Sequence, residues 1–116
     1  MRTFLLIAVL VGLPVQAHAQ FRYGNELAAD MHAWEKAEAA ETLTSAEWHQ
    51  AGEYSGYVLG AADAYEGAGV FCGYGKVATE QLEAVVAAYL KSDPTRWHFS
   101  ANSLVGMALR EAFPCG

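Results

Sequence analysis

Basic residues are scarce in this chain: seven Lys and Arg stand against thirteen Asp and Glu, a formal charge of −6. Without basic clusters a protein has no electrostatic footprint for phosphate backbones or anionic lipid, which argues against nucleic acid and membrane surfaces as partners. Histidine is sparse as well. His32, His49 and His98 fall in separate segments, and no His-x-x-x-His pair exists, so the spacing of a metal site is missing. No stretch alternates apolar and polar residues as a strand would, no repeat recurs, and no linker is long enough to separate a pair of domains. The apolar run from Phe4 to Val15 is too short to span a bilayer, and Pro14 interrupts it near its end.

That run belongs to a predicted secretory signal. Arg2 supplies the positive start, and Ala17-His18-Ala19 fits the small-x-small cleavage pattern. Cleavage after Ala19 makes residues 1–19 the signal and residues 20–116 the mature domain, exported to a periplasm or beyond the cell. Gln20 would be the first mature residue; it is not cysteine, so no lipid anchor is expected. Losing Arg2 leaves six basic against thirteen acidic residues, a charge of −7. A basic partner is compatible with that balance, although solubility alone can set it. The mature chain of about 97 residues suffices for one core.

Cysteine usage follows the compartment. Cys72 and Cys115 are the only two cysteines, and in a small secreted chain two are most simply one disulfide. Cys115 follows Pro114 at the end of the chain, so the bridge would staple the C-terminus to the middle of the fold. On the chain-entropy account, a closed loop of about 42 residues stabilises by roughly 4 kcal/mol. A catalytic thiol at Cys72 is the sharper alternative, but no histidine sits in an obvious partnering motif.

Helical spacing recurs in four stretches, which predicts an all-α fold: a compact bundle of about four short helices, stapled by one disulfide. The first runs from about Asn25, as N-cap, to Ala39, with Leu27, Met31 and Trp34 on one face. The second starts at the capping box Thr44-Ser45-Ala46-Glu47 and continues to about Tyr65. Inside it Gly52, Gly56 and Gly60 recur every four residues. Each interior glycine costs roughly 1 kcal/mol against alanine, so something should approach closely there. Close packing within the monomer is the default expectation, and a dimer seam is the alternative; Glu53 and Asp63 exclude a membrane dimer. The glycine-rich stretch Gly67 to Gly75 reads as a turn or loop holding Cys72. It lacks the ending of a phosphate loop. The third helix, about Thr79 to Lys91, turns Leu82, Val85, Val86, Tyr89 and Leu90 to one side and stops at Asp93-Pro94. The fourth, about Ser100 to Ala112, carries Leu104, Val105, Ala108 and Leu109 inward.

No catalytic set emerges, and no cofactor or metal is expected. Glu35, Glu38 and Glu41 read as a solvated face. Asp63, mid-helix among small apolar residues, is expected to brace a neighbouring element. The segment Arg96-Trp97-His98-Phe99 is the densest aromatic and basic mix in the chain. Trp and Arg bury much area and also hydrogen-bond, which makes these four residues the candidate partner-binding segment. The competing reading folds Trp97 and Phe99 inward to close the end of the bundle.

Several of these pieces occur in a recognisable order. They are Gly56-Tyr57-Val58-Leu59-Gly60-Ala61-Ala62-Asp63-Ala64, Phe71-Cys72, Tyr89-Leu90 with Pro94, Ala108-Leu109, and Ala112-Phe113-Pro114-Cys115. The ordered set resembles the Rap/Tai family, immunity proteins against type VI secretion amidase effectors. It marks Gly56, Tyr57, Gly60, Asp63 and Pro114 as the motif positions. The resemblance implies a periplasmic, non-enzymatic all-α protein that occludes the active site of a peptidoglycan amidase, often as a homodimer, with the two cysteines bonded. Family members often carry a further cysteine pair, and Tyr54 occupies one of those places here. A small periplasmic acid-stress chaperone, or another non-enzymatic periplasmic binding protein, is the alternative.

Overall fold

The computed structural model describes residues 22–116, so the signal-peptide assignment lies outside the described residues. The element order is α1 (Gly24–Glu38), α2 (Ser45–Gly67), α3 (Thr79–Ser92), a single 3-10 turn (Pro94–Arg96) and α4 (Ala101–Ala112). Among the described residues the only extended pairing is one antiparallel bridge between Tyr23 and Ser100. The all-α, four-helix expectation holds, and each helix lies within a residue or two of its predicted span.

Local chemistry accounts for the helix ends. Thr44 and Glu47 cap α2 reciprocally: the Glu47 amide donates to Thr44 Oγ1 at 3.1 Å, and the Thr44 amide donates to the Glu47 carboxylate at 3.3 Å. At the start of α1 the expectation was wrong. Tyr23 is the N-cap, and Asn25 lies inside the first turn. Two orphan amides of that turn already have partners from elsewhere in the chain. Gly24 donates to the Phe99 carbonyl at 2.8 Å and Asn25 to the Trp97 carbonyl at 2.9 Å, so no side-chain cap is required. Helices α1 and α2 both end in Schellman turns. The first is closed by Ala40 N–H to Ala37 and Glu41 N–H to Lys36, the second by Gly69 N–H to Glu66 and Val70 N–H to Tyr65. The left-handed residue of the second is Gly69, at φ +73°, whereas that of the first is Ala40, at φ +56°.

The core gathers Leu27 and Met31 from α1, Tyr54 and Val58 from α2, Val86 and Leu90 from α3, and Leu104, Val105 and Leu109 from α4. Phe71, beside the cystine, joins them at 1% exposure. Cys72 and Cys115 are bonded, with Cα atoms 5.0 Å apart, inside the range an unstrained bridge accepts. The neighbouring backbone reinforces the staple, because the Cys72 amide donates to the Phe113 carbonyl at 2.9 Å. Tyr54, where the resemblance anticipates a cysteine, is fully buried. Its ring centroid lies 5.1 Å from that of Trp34, and its hydroxyl donates to the Glu83 carbonyl at 2.6 Å. Burial pushes that hydroxyl well above the ordinary tyrosine range.

Two expectations for α2 fail together. A Cβ placed on Gly52, Gly56 or Gly60 would meet nothing within 4 Å, so no other stretch of the described chain approaches the stripe. Asp63 is exposed as well, and its carboxylate pairs with no other described residue. The cause is the helix's rotation: Ala51, Tyr54, Val58 and Ala62 take the buried face, and the glycines turn outward. The close approaches occur instead at Gly24, Gly73 and Gly106. A Cβ on Gly24 would sit 2.4 Å from Leu104 Cδ1, and one on Gly106 would sit 3.2 Å from the Tyr65 ring.

Candidate partner-binding surface

The predicted contact segment sits where the turn after α3 meets the start of the described chain. Asp93 opens it, accepting from the Thr95 amide at 3.1 Å and from the Thr95 hydroxyl. Those bonds, with Arg96 nearby, hold its carboxyl below the usual carboxylate range. Arg96 is fixed rather than loose. Its Nε lies 3.1 Å from Asp93, a guanidinium nitrogen donates to the Tyr89 hydroxyl at 2.7 Å, and its carbon stands 5.8 Å from the Tyr89 ring centroid. His98 Nδ1 is 2.8 Å from the Thr95 carbonyl oxygen, and the imidazole packs on Phe99 with centroids 4.5 Å apart.

The segment therefore divides. Arg96, His98 and Phe99 are exposed. Trp97 packs against the core and donates its indole N–H to the Leu90 carbonyl at 2.8 Å, so it closes the bundle end, as the competing reading had it. Sequence reasoning missed a further member. Tyr23, 52% exposed, is brought beside the segment by its bridge to Ser100, while the Ala101 amide donates to the Arg22 carbonyl at 2.7 Å. No local signal could have shown this, since the pairing joins opposite ends of the mature chain.

A charge cluster anchors that N-terminal strap. Arg22 reaches Asp30 on α1 and Glu53 on α2, both at 2.6 Å, and His49 Nε2 lies 2.8 Å from the other Glu53 oxygen. Asp30 is only 4% exposed. Burial pushes its carboxyl up despite the pull of Arg22, whereas the bond from Arg22 holds Glu53 down. The other buried carboxylate, Glu83, accepts from the Trp34 indole at 3.2 Å. Away from the strap, Trp48 at 59% and Tyr74 at 69% are the most exposed large apolar side chains. Trp48 stands one helical step before Gly52, at the end of the outward glycine stripe.

Among the described residues, no group of three His, Cys, Asp or Glu could hold a metal ion, and no helix is long and apolar enough to cross a membrane. What the fold offers is a cystine-closed helical scaffold that presents aromatic side chains from short, hydrogen-bonded turns, as small protein-binding domains do. A family model described as Rap1a immunity proteins matches residues 23–115, and the chain belongs to that family. No curated protein matches it.

Proposed function

We propose that this chain is an exported immunity protein that binds a secreted peptidoglycan amidase in the periplasm and occludes its active site. The observation that carries this reading is the family match, which spans nearly the whole described domain. Occlusion needs a stiff scaffold and a presented surface, and it needs no nucleophile, metal or cofactor. Arg96, His98 and Phe99, extended by Tyr23, are the contact residues of this reading, with Trp97 as their floor. The type VI secretion context and the amidase target come from the Rap/Tai resemblance.

The test is to mix the mature chain with the amidase encoded in the neighbouring reading frame. Complex formation is read by size-exclusion chromatography, and inhibition by release of peptide from purified peptidoglycan. Arg96→Ala with Phe99→Ala should weaken the complex at least tenfold. An unchanged affinity would remove the segment, and uninhibited hydrolysis would remove the reading. Client proteins held soluble at about pH 3 would point to the chaperone alternative instead.

A homodimer belongs to the same proposal. Three interior glycines, each costing roughly 1 kcal/mol, find no packing partner among the described residues, and a second copy laid on the Gly52–Gly56–Gly60 face would supply one. Sedimentation of wild type and Gly56→Leu decides this: a dimer that the added side chain disrupts supports it, and a monomer at all concentrations ends it.

A further inference from the structure

The C-terminal halves of α3 and α4 leave an open groove of about 360 Å³ between them. Its walls are Val85, Ala88 and Tyr89 from α3 with Ala108 and Ala112 from α4. Small side chains at four-residue spacing line it from both helices: Ala88 and Ser92 on one, Ala108 and Ala112 on the other. Alanine rows of this kind form a shallow channel into which a ridge of side chains from a third helix can settle. No described element fills it.

The charges at the groove have one sign left over. Arg96 spends its guanidinium on Asp93 and on the hydroxyl of Tyr89, the wall residue. Glu111 lines the groove, is exposed, and makes no ion pair with another described residue. Its neighbour Arg110 points elsewhere, because adjacent residues on a helix do not face each other. The whole chain carries −6, so a cationic ligand is also favoured at long range.

We infer that this groove receives a cationic amphipathic helix of a protein partner, its apolar side chains between the alanine rows and a Lys or Arg on Glu111. The inference rests on the reading that the chain acts by binding a protein, and it names that partner's chemistry. The groove is continuous with the segment described above, since Tyr89 forms its wall and also carries Arg96.

The experiment titrates a helical peptide of leucine and lysine, with its Leu/Glu counterpart, into the full mature chain by calorimetry and by NMR. The expected result is saturable binding of the Leu/Lys peptide alone, with shifts concentrated at Val85, Ala88, Ala108 and Glu111. Glu111→Lys should weaken it about fivefold, while Glu41→Lys, which makes the same charge change away from the groove, should leave it within about twofold. Ala88→Trp, at an exposed position, should fill the channel and abolish binding with unchanged circular dichroism. Equal effects of Glu111→Lys and Glu41→Lys, shifts spread over the acidic surface, or tight binding of the Leu/Glu peptide would each overturn the inference. An amidase complex indifferent to Ala88→Trp would also overturn it, while leaving the immunity reading standing. Peptide binding retained where no amidase complex forms would uphold the groove and remove the immunity reading alone.

Discussion

Gly24→Ala should be among the most damaging single-methyl additions to this protein. In an ordinary helical turn the exchange is favourable, because alanine loses less backbone freedom and gains roughly 0.5–1 kcal/mol over glycine. Here the added carbon would lie 2.4 Å from Leu104 Cδ1 and 2.8 Å from both the Cα and the carbonyl oxygen of Trp97. Leucine could rotate, but the Trp97 backbone cannot retreat alone. Its carbonyl accepts from Asn25 at 2.9 Å, and Gly24 itself donates to Phe99 at 2.8 Å, so relief means opening the strap. Overpacking of this kind costs about 1–3 kcal/mol, which outweighs the propensity gain. A net loss of about 1 kcal/mol should lower Tm by roughly 4–8 °C in a domain of this size. Gly67→Ala, outside the proposed dimer face, is the internal control: nothing lies within 4 Å of its Cβ, so it should hold or slightly raise Tm. Urea unfolding of both variants at neutral pH measures the difference. If Gly24→Ala is as stable as wild type while the Gly24 and Asn25 amides keep their protection from exchange, the packing argument is wrong.

Ala40→Gly should stabilise by about 1 kcal/mol, since the Schellman turn after α1 now holds a Cβ in the left-handed region at φ +56°; thermal melts against wild type decide it. Arg22→Ala leaves the carboxylate of Asp30, 4% exposed, without its cation, and about 1–3 kcal/mol should be lost near pH 7.5. That loss should shrink near pH 4.5. Asp30 has a raised folded-state pKa, so its ionisation penalty disappears as pH falls through that value. The Glu53 contribution, from a lowered pKa, is present above the unfolded value and fades on acidification in the wild type as well. Equal losses at both pH values in chemical denaturation would contradict the assignment. Removing the staple by Cys72→Ser with Cys115→Ser, which opens a closure spanning 43 residues, should cost about 2–4 kcal/mol in urea unfolding.

The features of this fold that were legible in the sequence are those whose causes are local. The Thr44–Glu47 box, the stop at Asp93-Pro94 and the stripe Leu104, Val105, Ala108 and Leu109 each depend on residues within a turn or two, and each stands as expected. The cystine was legible too, from the count of two thiols and the export reading. The face that α2 turns inward was not. Apolar side chains lie nearly all round that helix, so its sequence specifies no single buried stripe, and the choice falls to what α1 and α3 present to it. Once Tyr54 goes inward to meet Trp34 and Glu83, the glycines must go outward.

The candidate surface was half legible for the same reason. Aromatic density drew attention to Arg96–Phe99, but density cannot tell an exposed ring from one that closes a core. Trp97 is fixed by the Leu90 carbonyl and by the strap, both outside its own turn. Tyr23 reaches the surface only because Arg22 is anchored on two helices while its carbonyl accepts from Ala101. The proposed binding face, assembled from the first and last thirds of the domain, leaves no contiguous motif. The ion cluster under the strap and the presented aromatics are therefore one unit: loosening Arg22 should displace Tyr23 and Phe99 together, so Arg22→Ala should weaken partner binding in the proposed complex as Phe99→Ala does.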